Sequence, residues 1–110
     1  MNCLAVDDEP FALEIIRLHT EKVPFLHLEN TFRSALEALA YLQNHSVDLI
    51  FLDINMPDLS GIDFAKSLTN KPLLIFTTAY SEFALTGYEL NVVDYLLKPI
   101  EFPRFLTAVN

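Results

Sequence analysis

Four largely apolar runs in this chain end in side chains that can do chemistry. Cys3–Val6 stops at Asp7 and Asp8, and Leu49–Leu52 stops at Asp53. Pro72–Phe76 runs into Thr77 and Thr78, and Val92–Leu97 into Lys98. If the runs are strands of one parallel sheet, these side chains gather at its carboxyl rim, where open α/β sheets bind ligands. Three carboxylates at close range repel, and a divalent cation relieves the conflict. An all-oxygen donor set with room for water suits Mg²⁺. The Lys98 ammonium could pair with Asp53 and neutralise a transferred phosphoryl group, and the Thr78 hydroxyl could donate to a phosphoryl oxygen. A carboxylate nucleophile, a metal, an ammonium and a hydroxyl together are what phosphoryl transfer needs. Each residue alone has a plainer explanation. Asp53 can start a turn, Asp7 and Asp8 can be solvated acids, and Thr78 and Lys98 can be an ordinary strand threonine and a solvated lysine. The ordered set favours the chemistry.

These residues need a scaffold, and the apolar pattern supplies one. Cys3–Val6 and Leu49–Leu52 are short, continuous and rich in bulky side chains, the pattern of strands covered on both faces. Pro10 suits the first turn of a helix, and Phe11, Ile15, Ile16 and Leu18 recur at helical spacing up to about Lys22. Phe25–Glu29 alternates, which predicts a strand near a sheet edge. Ser34 and Glu37 fit a capping box for a helix whose inner face is Leu36, Leu39 and Leu42. Ser60 and Asp63 could cap another, with Ile62, Ala65 and Leu68 inward. Pro72–Thr78 is a fourth strand. Ser81–Glu89 is a short helix that Gly87 weakens by roughly 1 kcal/mol relative to Ala. Val92–Leu97 is a fifth strand, and a last helix starts near Phe102 or Pro103 and packs through Phe105, Leu106 and Val109.

Strand then helix, five times, argues for a parallel sheet with helices on both faces and right-handed crossovers. The chain has 110 residues, 52% of them hydrophobic, and only two glycines, which fits one globular domain. A net charge of −8 makes direct contact with nucleic acid or an anionic membrane unfavourable. Cys3 is the only cysteine, sits in an apolar run and reads as a small core residue. With no signal peptide and no run of membrane-spanning length, a cytoplasmic location is expected.

The acidic pair Asp7-Asp8, Asp53 within Leu-Asp-Ile-Asn-Met-Pro, Gly61, Thr78-Ala79, Tyr95 and Lys98-Pro99 together resemble the receiver domain of bacterial two-component response regulators, end to end. The stretch from Thr77 to Ile100 further resembles receivers that precede a LytTR-type DNA-binding domain. The resemblance implies a flavodoxin-like doubly wound five-stranded sheet of order 2-1-3-4-5. It implies that Asp53 accepts a phosphoryl group from a phosphohistidine of a sensor histidine kinase. Asp8, Asp53 and the Asn55 backbone carbonyl would bind Mg²⁺ directly and Asp7 through water, while Lys98 and Thr78 hold phosphoryl oxygens. The Lys98–Pro99 bond would be cis. Thr78 and Tyr95 would form a switch that moves the Ser81–Glu89 helix, and Phe83 or Tyr88 could lie on an output face used for a homodimer. The receiver would fill residues 1–110, with an output domain following Asn110. Such a domain catalyses its own phosphorylation and dephosphorylation and is not otherwise an enzyme.

Three rivals are weaker. A haloacid-dehalogenase-like phosphatase wants a second Asp two residues after its nucleophile, where this chain has Asn55. A receiver-like interaction module that is never phosphorylated has no need to keep Asp7, Asp8, Asp53, Thr78 and Lys98 together. A flavin-binding domain would carry a phosphate loop rich in Ser, Thr and Gly after the first strand, and Asp7–Pro10 is not one.

Overall fold

The computed structural model describes residues 1–68, 71–79 and 92–110. Its elements are β1 (Asn2–Val6), α1 (Pro10–Glu21), β2 (His27–Phe32), α2 (Ala35–Leu42), β3 (Leu49–Asp53), α3 (Gly61–Ser67), β4 (Leu73–Thr78), β5 (Val92–Leu97) and α4 (Phe102–Val109). The five strands form one sheet in the order β2-β1-β3-β4-β5, and every neighbouring pair is parallel. This is the doubly wound order expected. The helix expected over Ser81–Glu89, with Phe83, Gly87 and Tyr88, lies outside the described residues.

Alternation along the central strands builds two cores. Cys3, Ala5, Phe51 and Ile75 face one side with Ile16 of α1 and Phe105 of α4. Leu4, Val6, Ile50, Leu52 and Phe76 face the other with Ala35 and Ala38 of α2 and Phe64 of α3. Phe51 stacks on Phe105 at a centroid distance of 5.2 Å. The edge strands β2 and β5 are only half-buried, as a strand with one free edge allows. Cys3 is fully buried, and burial pushes its thiol up to about 11. Iodoacetamide at about pH 8 is therefore expected to leave Cys3 untouched in the folded chain and to alkylate it once denaturant is added. Alkylation of the native chain at the rate of a free thiol would contradict this.

Several inward-facing residues differ from those the spacing suggested. Phe11 and Leu18 are exposed, and α1 instead buries Ala12, Leu13, Ile16, His19 and Thr20. In α2 Leu36 is exposed while Ala35 and Ala38 are buried, because small residues let the helix lie close to the sheet. Phe64 is the fully buried side chain of α3; Ala65 and Leu68 are buried as expected, and Ile62 is half-buried. In α4 Phe105 is buried with Ala108, and Leu106 and Val109 pack at the margin. Pairing of β2 starts at His27, whose amide donates to the Met1 carbonyl, because Val23–Leu26 forms a turn before it.

Two of the four helices among the described residues carry the expected side-chain caps. Ser34 Oγ accepts from the Glu37 amide and Ser60 Oγ from the Asp63 amide. The carboxylate that joins Ser34 at the start of α2 is that of Asp58, on the β3–α3 loop.

Candidate functional site

The site forms where β1, β3, β4 and β5 end at the same rim. Asp7 directly follows β1 and is fully buried; its amide donates to the Phe32 carbonyl and its Oδ1 accepts from the Glu9 amide. Asp53 is the last residue of β3, 4% exposed, and its Oδ1 accepts from the Asn55 amide at 3.4 Å. Asp8 is half-exposed beside them. One carboxylate oxygen from each of Asp7, Asp8 and Asp53 lies within 4.8 Å of the others.

Lys98 reaches this cluster from the end of β5. Its backbone amide donates to the Thr78 carbonyl at 2.8 Å, which ties the ends of β4 and β5 together, and the Lys98–Pro99 peptide is cis. The Lys98 ammonium lies 2.9 Å from Asp7 Oδ2, 3.0 Å from Glu9 Oε1 and 3.6 Å from Asp53 Oδ1. The expected Lys98–Asp53 pair therefore exists, but Asp7 and Glu9 hold the ammonium more closely. Burial works against the Lys98 charge, yet the bonds to Asp7 and Glu9 outweigh it and hold the ammonium above its ordinary range. Burial pushes the Asp53 carboxyl up to about 7 and the Asp7 charge adds to this; Lys98 and the Asn55 amide pull the other way.

Thr78 ends β4 and is buried. Tyr95 on β5 is half-buried, pairs in register with Phe76 and packs its ring against it at 5.6 Å. Glu9 and His19 are among the residues that escaped the sequence reading. Glu9 follows the acidic pair directly, but a position ahead of Pro10 reads as a helix start, and Glu9 is indeed the residue before α1. His19 is buried, and its Nε2 donates to the Ile100 carbonyl at 2.8 Å, fixing the segment after Pro99. A lone histidine within a helix carries no sequence signal for such an anchor.

Among the described residues, four carboxyl groups face one ammonium at the rim, and each offers oxygen donors. That donor set fits a hard divalent cation such as Mg²⁺. Receiver domains hold Mg²⁺ in an acidic pocket of this kind.

Residues 3–110 match the response regulator receiver domain. The chain belongs to that family. It is the receiver domain of a two-component response regulator. The sensory transduction protein LytR of Staphylococcus haemolyticus is 39% identical over 113 residues, covering 100% of this chain and 44% of that protein. LytT of Enterococcus faecalis is likewise 39% identical, covering 100% of this chain and 47% of its own length. These relatives bear out the expected kinship with regulators of the LytTR type, and the receiver chain spans under half of their length. Among solved structures, the response regulatory domain of mrkE from Klebsiella pneumoniae superposes with a TM-score of 0.90 at 33% identity, covering 99% of this chain and 92% of that one. No helix among the described residues of the receiver is long and apolar enough to cross a membrane.

Proposed function

We propose that Asp53 is the phosphoacceptor of this receiver and that a phosphohistidine of a sensor histidine kinase is its donor. The observation that carries this reading is the meeting of Asp7, Asp8, Asp53 and Lys98 at one rim. An Asp53 carboxylate oxygen attacks phosphorus, the P–N bond breaks, and the imidazole nitrogen leaves with the electron pair and takes up a proton. The product is an aspartyl phosphate. Asp7, Asp8, Asp53 and the Asn55 carbonyl would hold Mg²⁺, which when bound offsets phosphoryl charge. Lys98 and Thr78 bind the phosphoryl oxygens, and Lys98 turns from Glu9 and Asp7 to do so. Drawing Thr78 toward the phosphoryl group is the trigger, and Tyr95, on the neighbouring strand, is the side chain that responds. The output is DNA-binding transcription regulation through a LytTR-type domain after Asn110. What supports a further domain is the greater length of the LytR and LytT relatives, of which this chain covers 44% and 47%.

Incubation with acetyl phosphate and Mg²⁺, followed by intact-mass measurement, tests the chemistry. The expected result is one phosphoryl adduct, absent in Asp53→Ala and absent with chelator. An adduct that survives in Asp53→Ala would move the acceptor elsewhere. Steady turnover of a phosphomonoester would favour a phosphatase instead.

A further inference from the structure

The strongest feature that the phosphoryl chemistry leaves unused is the tight turn Phe32–Arg33–Ser34, which runs from the last residue of β2 to the N-cap of α2. It contributes no ligand to the carboxylate cluster, yet it bonds to both loops that carry the cluster. The Phe32 carbonyl accepts from the Asp7 amide at 3.0 Å. Arg33 Nε and Nη2 both donate to the Asp8 backbone carbonyl at 3.3 Å. Ser34 Oγ donates to Asp58 Oδ2 at 2.8 Å, and the same oxygen accepts from the Leu36 amide at 3.2 Å. Asp58 lies three residues beyond Asn55 on the loop that follows Asp53.

We propose that this turn is a clamp that holds the two acidic loops in register, with Arg33 and the Ser34–Asp58 pair as positioning residues for the Mg²⁺ ligands. The physical need for it is plain. Asp7 and Asp8 sit on one loop and Asp53 begins the other, and their like charges push the loops apart. Consecutive residues of one short turn, bonded to both loops, oppose that splaying. Arg33 grips through a backbone carbonyl, so it fixes the path of the Asp8 loop without competing for the Asp8 carboxylate. The Ser34 hydroxyl leads the bonds that hold the Asp58 carboxyl below its usual range, the sign of an ionised group in a formed network. Partners that orient metal ligands from outside commonly matter nearly as much as the ligands themselves.

The inference rests on the acidic cluster being a Mg²⁺ site, so its test reads metal affinity without any phosphodonor. Mg²⁺ titration calorimetry would compare the wild-type chain with Arg33→Ala, Ser34→Ala, Asp58→Ala, the Ser34→Ala/Asp58→Ala double variant and Ser34→Thr. The three single alanine variants are expected to weaken Mg²⁺ binding by about 10- to 100-fold. The double variant should fall short of the sum of its parents' losses, because both parents break the Ser34–Asp58 bond. Ser34→Thr, which keeps the hydroxyl, should bind as wild type does. Thermal unfolding without metal serves as the control. A lowered midpoint with unchanged Mg²⁺ affinity would overturn the proposal, since the turn would then only cap α2. Wild-type affinity in every variant would also overturn it. Failure of the wild type to bind Mg²⁺ would overturn both the clamp and the metal site. A chain that binds Mg²⁺ but takes no phosphoryl group on Asp53 would leave the clamp standing and remove the phosphoacceptor.

Discussion

Without divalent cations, Asp53→Asn stabilises the domain by about 2–3 kcal/mol at about pH 7.5, by about 1 kcal/mol at about pH 5, and leaves it nearly unchanged below pH 3.8. Asp53 is buried beside Asp7, which raises its carboxyl from 3.8 to about 7. A raised carboxyl means that the folded chain holds a proton which the unfolded chain has already lost. Stability contributed by that proton is fully present below pH 3.8 and drains away as pH rises toward about 7. Each pH unit crossed costs about 1.4 kcal/mol, and relaxation of the rim around the ionised carboxyl reduces the total to the figure given. Groups with depressed values work in a different window. Asp94, held down by Arg104, and Asp58, held down by Ser34, add stability above their unfolded range and lose it as pH falls below that range. The metal-free wild type should therefore be most stable between these windows, at mildly acidic pH. Mg²⁺ should flatten the loss on the neutral side, because a cation at the rim favours the charged carboxylates. Urea unfolding at a series of pH values, with EDTA or with Mg²⁺, measures all of this. A wild type whose metal-free stability rises steadily from about pH 5 to pH 7.5, with no gain in Asp53→Asn, would show that Asp53 is not electrostatically stressed.

How much of this was legible beforehand depends on what each signal encodes. The β3 run Leu49–Leu52 and the β4 run ending at Thr78 are continuous apolar strands, so their position and their polar ends could both be read directly. Helix interiors were harder. The spacing of large apolar residues points α2 inward through Leu36, but close packing against the sheet favours the small Ala35 and Ala38 and leaves Leu36 outside. The same preference for tight contact over residue size exposes Phe11 on α1. At the site, residues at strand ends were legible because topology alone brings them together. Contacts made by loop backbone were not. Glu9 on Lys98, Arg33 on the Asp8 carbonyl and Ser34 on Asp58 each depend on the path of a turn, and single-residue patterns do not record that path. Tyr95 illustrates a third case: a half-buried aromatic on an edge strand is ordinary packing by pattern, and only the receiver resemblance marks it as a switch.

Gly61→Ala should cost about 1–3 kcal/mol of stability and should also weaken Mg²⁺ binding, although residue 61 has no side chain able to bind a metal. Gly61 opens α3, and its amide donates to the Ile54 carbonyl at 2.7 Å. That bond draws the start of the helix onto the end of β3. A Cβ built at Gly61 would stand 2.4 Å from the Asp53 carbonyl oxygen and 2.8 Å from Ile54 Cα. Both neighbours are backbone, so no side-chain rotation relieves the clash. The glycine serves close approach rather than an unusual dihedral, because its φ is negative. Alanine must therefore push α3 away from β3, breaking the Gly61–Ile54 bond, or displace the backbone of Asp53 and Ile54. The second route moves the proposed phosphoacceptor and the Asn55 carbonyl together, and metal sites tolerate little displacement of their ligands. Thermal unfolding without metal reads the first cost, and Mg²⁺ titration calorimetry reads the second. Ser60→Ala is the control, since it removes the neighbouring cap to Asp63 without adding bulk at β3. It should lose about 1 kcal/mol and keep its Mg²⁺ affinity. If Gly61→Ala matched that control on both measurements, the close contact between α3 and the Asp53 backbone would not be what sets the geometry of the rim.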